Sequence, residues 1–374
     1  MRPEIFVLFG TRPEAIKLFP LIARLKRDGL AKVTVCVTAQ HREMLDQVLM
    51  LADIVPDIDL DLMKPNQSLD EISARILTEV GKALDSRRPD RVLVQGDTAT
   101  AMIGSLAAYY RRIPVGHVEA GLRSGDIYAP WPEEVNRKVV TSIADRHFAP
   151  TERAAESLRK EGVPDRHIYV TGNTVIDALL DTKRLIEREP RLSEKWMAIK
   201  AAERGRRIVL VTAHRRENFG AGMAGIGDAL VQLADRPDVA IVLPLHPNPN
   251  VREVLRSRLD GRRNVHLLEP VEYVDFVGLL TMSDLVLTDS GGIQEEAPTF
   301  GKPVLVLRDT TERPEGLLAG TARLVGTDTA RIVEETSLLL DDRDHYLAMS
   351  RAHNPFGDGE ASKRIIEVLL NDRQ

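Results

Sequence analysis

Cysteine is almost absent from this chain of 374 residues. Cys36 stands alone, inside the apolar run VTVCVT. One thiol excludes an intramolecular disulfide, and in such a run it reads as a small buried hydrophobe. No Cys/His cluster has the spacing of a zinc site, so no structural metal is expected. A basic excess is missing too: 51 Lys and Arg stand against 56 Asp and Glu, a net charge of −5. That balance argues against nucleic acid as a partner, because binding a phosphate backbone draws on a cationic surplus. A local basic pocket remains compatible with it. No apolar run reaches the length of a membrane span, so no membrane partner is expected. The opening EIFVLFG is apolar but short and runs into a charged helical segment without a small-residue cleavage site. It reads as a first strand and not as a signal peptide, and the expected location is cytosolic.

What is present is an ordinary globular composition, 43% apolar and 29% charged. At about 150–200 residues per domain, the length suits two domains. Short β-branched runs recur, each followed by a polar or glycine turn and then a helical pattern. EIFVLFG leads to AIKLFPLIARLKRDG, KVTVCVTA to REMLDQVLML, and RVLVQGD to ATAMIGSLAAYY; IPVGHVEAG and RHFAPT follow. The rhythm restarts with RRIVLVTAH, VAIVLPLH, NVHLLEP, LVLTDSGG and KPVLVLRD, after a charged helical stretch from about Ile176 to Arg207. Strands alternating with helices imply parallel βαβ units with right-handed crossovers. The expected fold is α/β, two doubly wound Rossmann-like domains facing a cleft. Expected boundaries are 1–172, 173–355 and a final segment 356–374, whose FGDGEASKRIIEVLLNDR reads as a capped amphipathic helix packing back on the first domain. In such sheets ligands bind beyond the carboxyl ends of the strands, so the polar residues there are the candidates.

In FGTRPEAIK, Gly10 permits a tight turn and Pro13 suits a first helical turn, with Arg12 and Lys17 flanking the helix start. A helix start with two cations is an anion site, or else a plain turn with surface charges. In DSGGIQEE, Ser290, Gly291 and Gly292 would offer unpaired backbone amides to a phosphate. Glu295 and Glu296 lie about one turn deeper, where a carboxylate can accept two hydrogen bonds from ribose hydroxyls; alternatively these acids only complement the helix dipole. Arg308 and Arg313 follow in LRDTTERPEG. Together these features suggest a nucleoside diphosphate.

Asp97 ends VLVQGD and Glu119 ends PVGHVE, each after a run that should be buried. Glu133 and Glu134 follow APWP, with Arg137 beyond; Glu134 is expected to be solvated. Several carboxylates around one cleft push some pKa values upward, which yields a general acid beside a general base. Magnesium is the competing explanation for the acids. His214 ends IVLVTAH and His246 ends IVLPLH, two imidazoles at successive strand ends. His41 stands at a helix start, and His147 reads as structural.

The blocks FGTRPEAIK, TAQHREMLDQVL, QGDT, GHVEAGLRSGD, PWPEEVNR, TGNTVIDAL, TAHRREN, HPNPNVRE, LTDSGGIQEEAP and GKPVLVLRDTTERPEG resemble the non-hydrolysing UDP-N-acetylglucosamine 2-epimerases. The resemblance runs from Phe9 to the final helix. It implies the glycosyltransferase B fold, a homodimer, a UDP-sugar substrate, no cofactor and inversion at carbon 2 of UDP-N-acetylglucosamine. Carried over by motif, Asp97, Glu119, Glu133 and His214 form the catalytic set. Arg12, Ser290, Gly291, Gly292 and Arg313 hold the diphosphate and Glu296 the ribose; Lys17, Arg137 and His246 line the pocket, and Phe276 sits near the uracil. The absence of a GxGxxG fingerprint agrees with chemistry that needs no nicotinamide. Some bacterial members are activated by their own substrate at an adjacent site that includes a QHRQ stretch. Here the corresponding residues are Gln40, His41, Arg42 and Glu43, and Asn66 stands roughly where those members carry arginine, which departs from the pattern. The alternatives are a glycosyltransferase of the same fold, an epimerase acting on a modified UDP-amino sugar, a hydrolysing epimerase, and a nucleotide-sugar sensor without catalysis.

Overall fold

Two compact units make up the chain, Met1–Ala178 together with Gly357–Gln374, and Leu179–Phe356. The structure is a computed structural model that describes residues 2–38, 42–64 and 67–371, without the side chains of 42–44. Gln40, His41 and Asn66 therefore lie outside the described residues, as does the side chain of Glu43.

The first unit begins β1 (Glu4–Phe9), α1 (Arg12–Asp28), β2 (Lys32–Val37), α2 (Arg42–Leu51) and β3 (Ile58–Asp59). It continues with α3 (Leu69–Arg87), β4 (Arg91–Gln95), α4 (Ala99–Tyr110), β5 (Val115–Val118) and α5 (Glu133–Ile143). Then come β6 (Arg146–Ala149), α6 (Glu152–Lys160), β7 (Ile168–Val170) and α7 (Thr174–Arg188), inside which the unit boundary falls. The strands form one parallel sheet in the order β3-β2-β1-β4-β5-β6-β7. Order reverses between β1 and β4, the switch point where doubly wound sheets open a crevice.

The second unit holds α8 (Glu194–Ala202), β8 (Arg207–Thr212), α9 (Ala221–Ala234), β9 (Val239–Pro244), α10 (Pro249–Leu259), β10 (Val265–Leu268) and α11 (Tyr273–Met282). After these come β11 (Leu285–Thr288), α12 (Gly291–Glu296), β12 (Val304–Val306), α13 (Pro314–Leu318), β13 (Ala322–Leu324), α14 (Thr329–Asp341) and α15 (Arg343–Ser350). Its parallel sheet repeats the same winding, β10-β9-β8-β11-β12-β13. The last helix, α16 (Ala361–Asn371), belongs to the first unit and packs on α1. Asp177 accepts the Ala361 and Ser362 amides at 3.2 and 2.8 Å, which caps its start.

Parallel strands covered on both faces must be apolar on both, and these are. In β8, Val209 and Val211 face one core with Ile241 and Leu243, whereas Ile208 and Leu210 face another with Val242 and Val286. Successive residues alternate in this way because the strand repeat is two. Each fully buried aliphatic side chain contributes about 1.5–3 kcal/mol. Cys36 is buried in β2, and burial, with Asp59 adding to it, pushes its thiol up to about 12. Among the described residues, no helix is long and apolar enough to cross a membrane. Three strands lack a sequence signature: β3, β7 and β13, each two or three residues long and each on a sheet edge.

Candidate active site

In the first unit the candidates collect at the carboxyl ends of β1, β4 and β5, and Glu119 is the centre. It directly follows β5, is 8% exposed, and has φ +63°, a left-handed conformation that side chains with a Cβ rarely adopt. Its carboxylate accepts Lys17 Nζ at 2.6 and 2.7 Å, Asn173 Nδ2 at 2.9 Å, and Gln95 Nε2. Lys17 reaches it from the second turn of α1, Asn173 from the turn after β7, and Gln95 from the end of β4. A Cβ at Gly96 would lie 3.6 Å from Glu119 Oε2, so the carboxylate rests against the chain just before Asp97. Strained backbone held by this many donors is a mark of a functional position.

Asp97 pairs with Arg137 of α5, and Asn136 Nδ2 donates to the Asp97 carbonyl at 2.8 Å. Glu134 is not solvated, contrary to expectation; it is fully buried. The loop after β5 folds over it and donates the Ser124 amide at 3.1 Å, while Arg137 Nη1 lies 3.2 Å away. Arg137 is thus shared between a buried structural acid and the candidate Asp97. Glu133, the first residue of α5, is partly exposed, and its side chain has no hydrogen-bond partner among the described residues.

The start of α1 differs from a plain helix-start anion site. Glu14 is 1% exposed, and its Oε2 takes the Gly10 and Thr11 amides at 3.1 and 2.8 Å in a capping box. Thr98 Oγ1 donates to its other oxygen at 2.8 Å. Burial raises its pKa, and those hydrogen bonds oppose the rise. With Lys17 held by Glu119, the cation left over at this turn is Arg12, half-buried and without a partner among the described residues.

In the second unit the centre is Asp289, fully buried after β11. Its Oδ2 accepts the His214 and Arg215 amides, each at 2.8 Å, and Asn218 Nδ2 at 3.1 Å. His214 Nδ1 lies 3.2 Å from Oδ1, close enough for charge pairing though misaligned for a hydrogen bond. The His246 ring stacks on His214 with centroids 5.6 Å apart. Burial lowers the pKa of His214; Asp289 opposes this, while Arg215 and His246 reinforce it. A neutral imidazole backed by a carboxylate can accept or deliver a proton.

Beside it, α12 starts at Gly291. The expectation of three free amides is corrected at Ser290, whose N–H donates to Thr288 Oγ1 at 3.0 Å. A threonine hydroxyl two residues back satisfies that donor. Gly291 and Gly292 open the helix, where N–H groups have no partner within it. A Cβ at Gly292 would meet nothing within 4 Å, whereas one at Gly291 would come 2.9 Å from Glu312 Oε1. Glu312 accepts from Arg215 Nη2 at 3.2 Å and from Arg308, and Arg313 pairs with Glu295. Glu296 is buried, and its charge, after burial itself, raises the pKa of Tyr273. That tyrosine hydroxyl is buried without a hydrogen-bond partner among the described residues, one turn before Phe276 on α11. No group of three or more His, Cys, Asp or Glu among the described residues could hold a metal ion.

Gln95, Asn173, Asp289, Arg215 and Glu312 were not singled out from sequence. Asp289 carried a usable signal, an acid ending a buried run, as at Asp97 and Glu119.

The family profile described as UDP-N-acetylglucosamine 2-epimerase matches residues 23–370. The UDP-N-acetylglucosamine 2-epimerase of Escherichia coli is 54% identical over 372 residues, 99% of each chain. That of Salmonella typhimurium is 52% identical over 375 residues, again 99% of each. The crystal structure of UDP-GlcNAc 2-epimerase from Neisseria meningitidis, bound to UDP-GlcNAc, superposes with a TM-score of 0.89 at 48% identity, covering 98% of this chain and 100% of that one. The fold is the two-domain α/β type of these enzymes, and the chain belongs to the UDP-N-acetylglucosamine 2-epimerase family.

Proposed function

We propose that this chain is an isomerase that interconverts UDP-N-acetylglucosamine and UDP-N-acetylmannosamine by inverting carbon 2. The observation that carries this reading is the 54% identity to the Escherichia coli epimerase along 99% of both chains. The proton on carbon 2 has no adjacent carbonyl to acidify it, so direct removal and return would be slow. In the proposed path that proton is removed while the bond from carbon 1 to the diphosphate oxygen breaks, in an anti elimination. UDP and 2-acetamidoglucal result. The diphosphate oxygen then adds back to carbon 1 as a proton reaches carbon 2 from the other face, in a syn sense.

Two proton transfers on opposite faces need separate groups. Asp97, Glu119, Glu133 and His214 form the proposed acid/base set. Lys17 and Asn173 hold Glu119, Arg137 holds Asp97, and Asp289 backs His214. Arg12, Arg313, the Ser290 hydroxyl and the backbone amides of Gly291 and Gly292 would bind the leaving diphosphate, with Glu296 on the ribose and Phe276 near the uracil. His246, stacked on His214, lines the same site. The working assembly is a cytoplasmic homodimer.

Proton NMR of the purified chain with UDP-N-acetylglucosamine tests the reading. A second anomeric signal, that of UDP-N-acetylmannosamine, should grow, and the same equilibrium ratio should be reached from either sugar. Unchanged substrate under conditions where UDP binds would overturn it.

A further inference from the structure

At the amino ends of β8 and β11 the second unit carries a concavity of about 620 Å³, the size of a small-molecule site. Five cations line it, Lys200, Arg204, Arg206, Arg207 and Lys302, against two carboxylates, Glu203 and Asp284. Both carboxylates are already engaged. Glu203 takes Arg206 Nη1 at 2.7 Å and His266 Nε2 at 2.8 Å. Asp284 takes the Ile208 amide at 2.7 Å and lies 3.0 Å from Arg207 Nε.

Lys200 and Arg204 have no ion pair among the described residues, and Lys302 Nζ donates at 2.6 Å to the Ser283 carbonyl, a neutral group. Burial lowers the pKa of Lys302; Asp284 opposes this, but Lys200, Lys183 and Arg207 push it further down. Cations therefore outnumber acids around this amine. Like charges gathered in a concavity repel one another and focus a positive field, which an anion relieves. Met197, Ile208 and Met282 add apolar lining for the uncharged part of a ligand.

We propose that this concavity is a second ligand site, for a small phosphorylated molecule whose phosphate is met by Lys200, Arg204 and Lys302. It lies at the opposite end of the strands from His214 and Asp289. The six residues of β8 separate the two by about 20 Å, so this is no extension of the candidate active site.

Methionine methyl NMR reads this site directly, because Met197 and Met282 line it. The full chain, labelled with 13C-methyl methionine, is titrated with pyrophosphate, with Met197→Leu and Met282→Leu assigning the signals. Both signals are expected to shift and saturate with a Kd below about 1 mM. Lys200→Glu/Arg204→Glu is expected to weaken that binding about tenfold or more, with an unchanged melting temperature. If that pair fails to fold, the milder Lys200→Gln/Arg204→Gln must weaken binding in the same direction. Signals that stay fixed, that follow sodium chloride of matched ionic strength equally, or that titrate alike in wild type and variants overturn the proposal.

Discussion

Glu119 joins a left-handed backbone to a carboxylate held by Lys17, Asn173 and Gln95, so its two contributions are separable by mutation. Glu119→Ala and Glu119→Gly both remove the carboxylate, but only glycine relaxes φ +63°. Urea unfolding should find the glycine variant more stable than the alanine variant by about 1 kcal/mol, with both inactive. Equal stabilities would mean that the backbone there is not strained. At Asp97, Asp97→Asn keeps the shape and removes the basic oxygen. Turnover should fall by about 100-fold or more while the UDP Kd, measured calorimetrically, changes less than about threefold. Lost UDP affinity with turnover retained would sink the role assigned to Asp97. Asp97, Glu119 and His214 are legible in the sequence because a polar, ionisable residue closing a buried run has to sit at a strand end. Gln95 and Asn173 are not, since neutral amides close many turns and only the folded sheet shows both donating to one carboxylate. Asp289 is masked by its neighbours: the glycines after it carry the pattern of a phosphate turn, although the acid itself closes a buried run. The same pattern favours the Ser290 amide, which Thr288 already holds.

Strands β5 and β6 place His117 opposite His147 in the interior of the first sheet. Burial is the leading cause that lowers His117 to about 3 and His147 to about 4, from an ordinary 6.5. Both are neutral in the fold and become charged on unfolding in mild acid. A lowered folded pKa gives stability that is full above about pH 6.5 and is lost as pH falls toward 4 and then 3. Each histidine adds a slope of up to about 1.4 kcal/mol per pH unit in that window. Urea midpoints between pH 7 and 4.5 should show the loss, and His147→Gln should flatten it. A profile as steep in the variant as in wild type would refute the assignment. In the turn after β5, Gly121 has φ +90°, and an added Cβ would lie 2.2 Å from the Ala154 carbonyl oxygen of α6. Gly121→Ala should cost about 2–4 kcal/mol, read as a lowered melting temperature. At this scale the sequence is clear wherever a strand is buried on both faces, since a run such as IVLV admits little else. It is silent at β3, β7 and β13, where an edge strand pairs on one side only and needs no apolar run.

Across the whole molecule, two sheets of the same winding bring the candidate residues to the carboxyl ends of the strands, Asp97 and Glu119 in the first unit and His214, Asp289 and the helix start at Gly291 in the second. The proposed elimination needs proton transfer at carbon 2 and control of the departing diphosphate at carbon 1. The exposed Tyr109 and Tyr110 at the end of α4, 61% and 62% accessible, are apolar surface on a chain proposed to be a homodimer. Light scattering coupled to size exclusion should give twice the mass of the 41.6 kDa chain; a monomer at working concentrations would contradict the proposed assembly. In the proposed reaction carbon 2 loses its proton and regains one from solvent. Incubation with UDP-N-acetylglucosamine in deuterated water, read by NMR and mass spectrometry, tests it most directly. UDP-N-acetylmannosamine should carry deuterium at carbon 2, without accumulation of free sugar. Product that keeps its original hydrogen, or free UDP rising together with a free sugar, would contradict it.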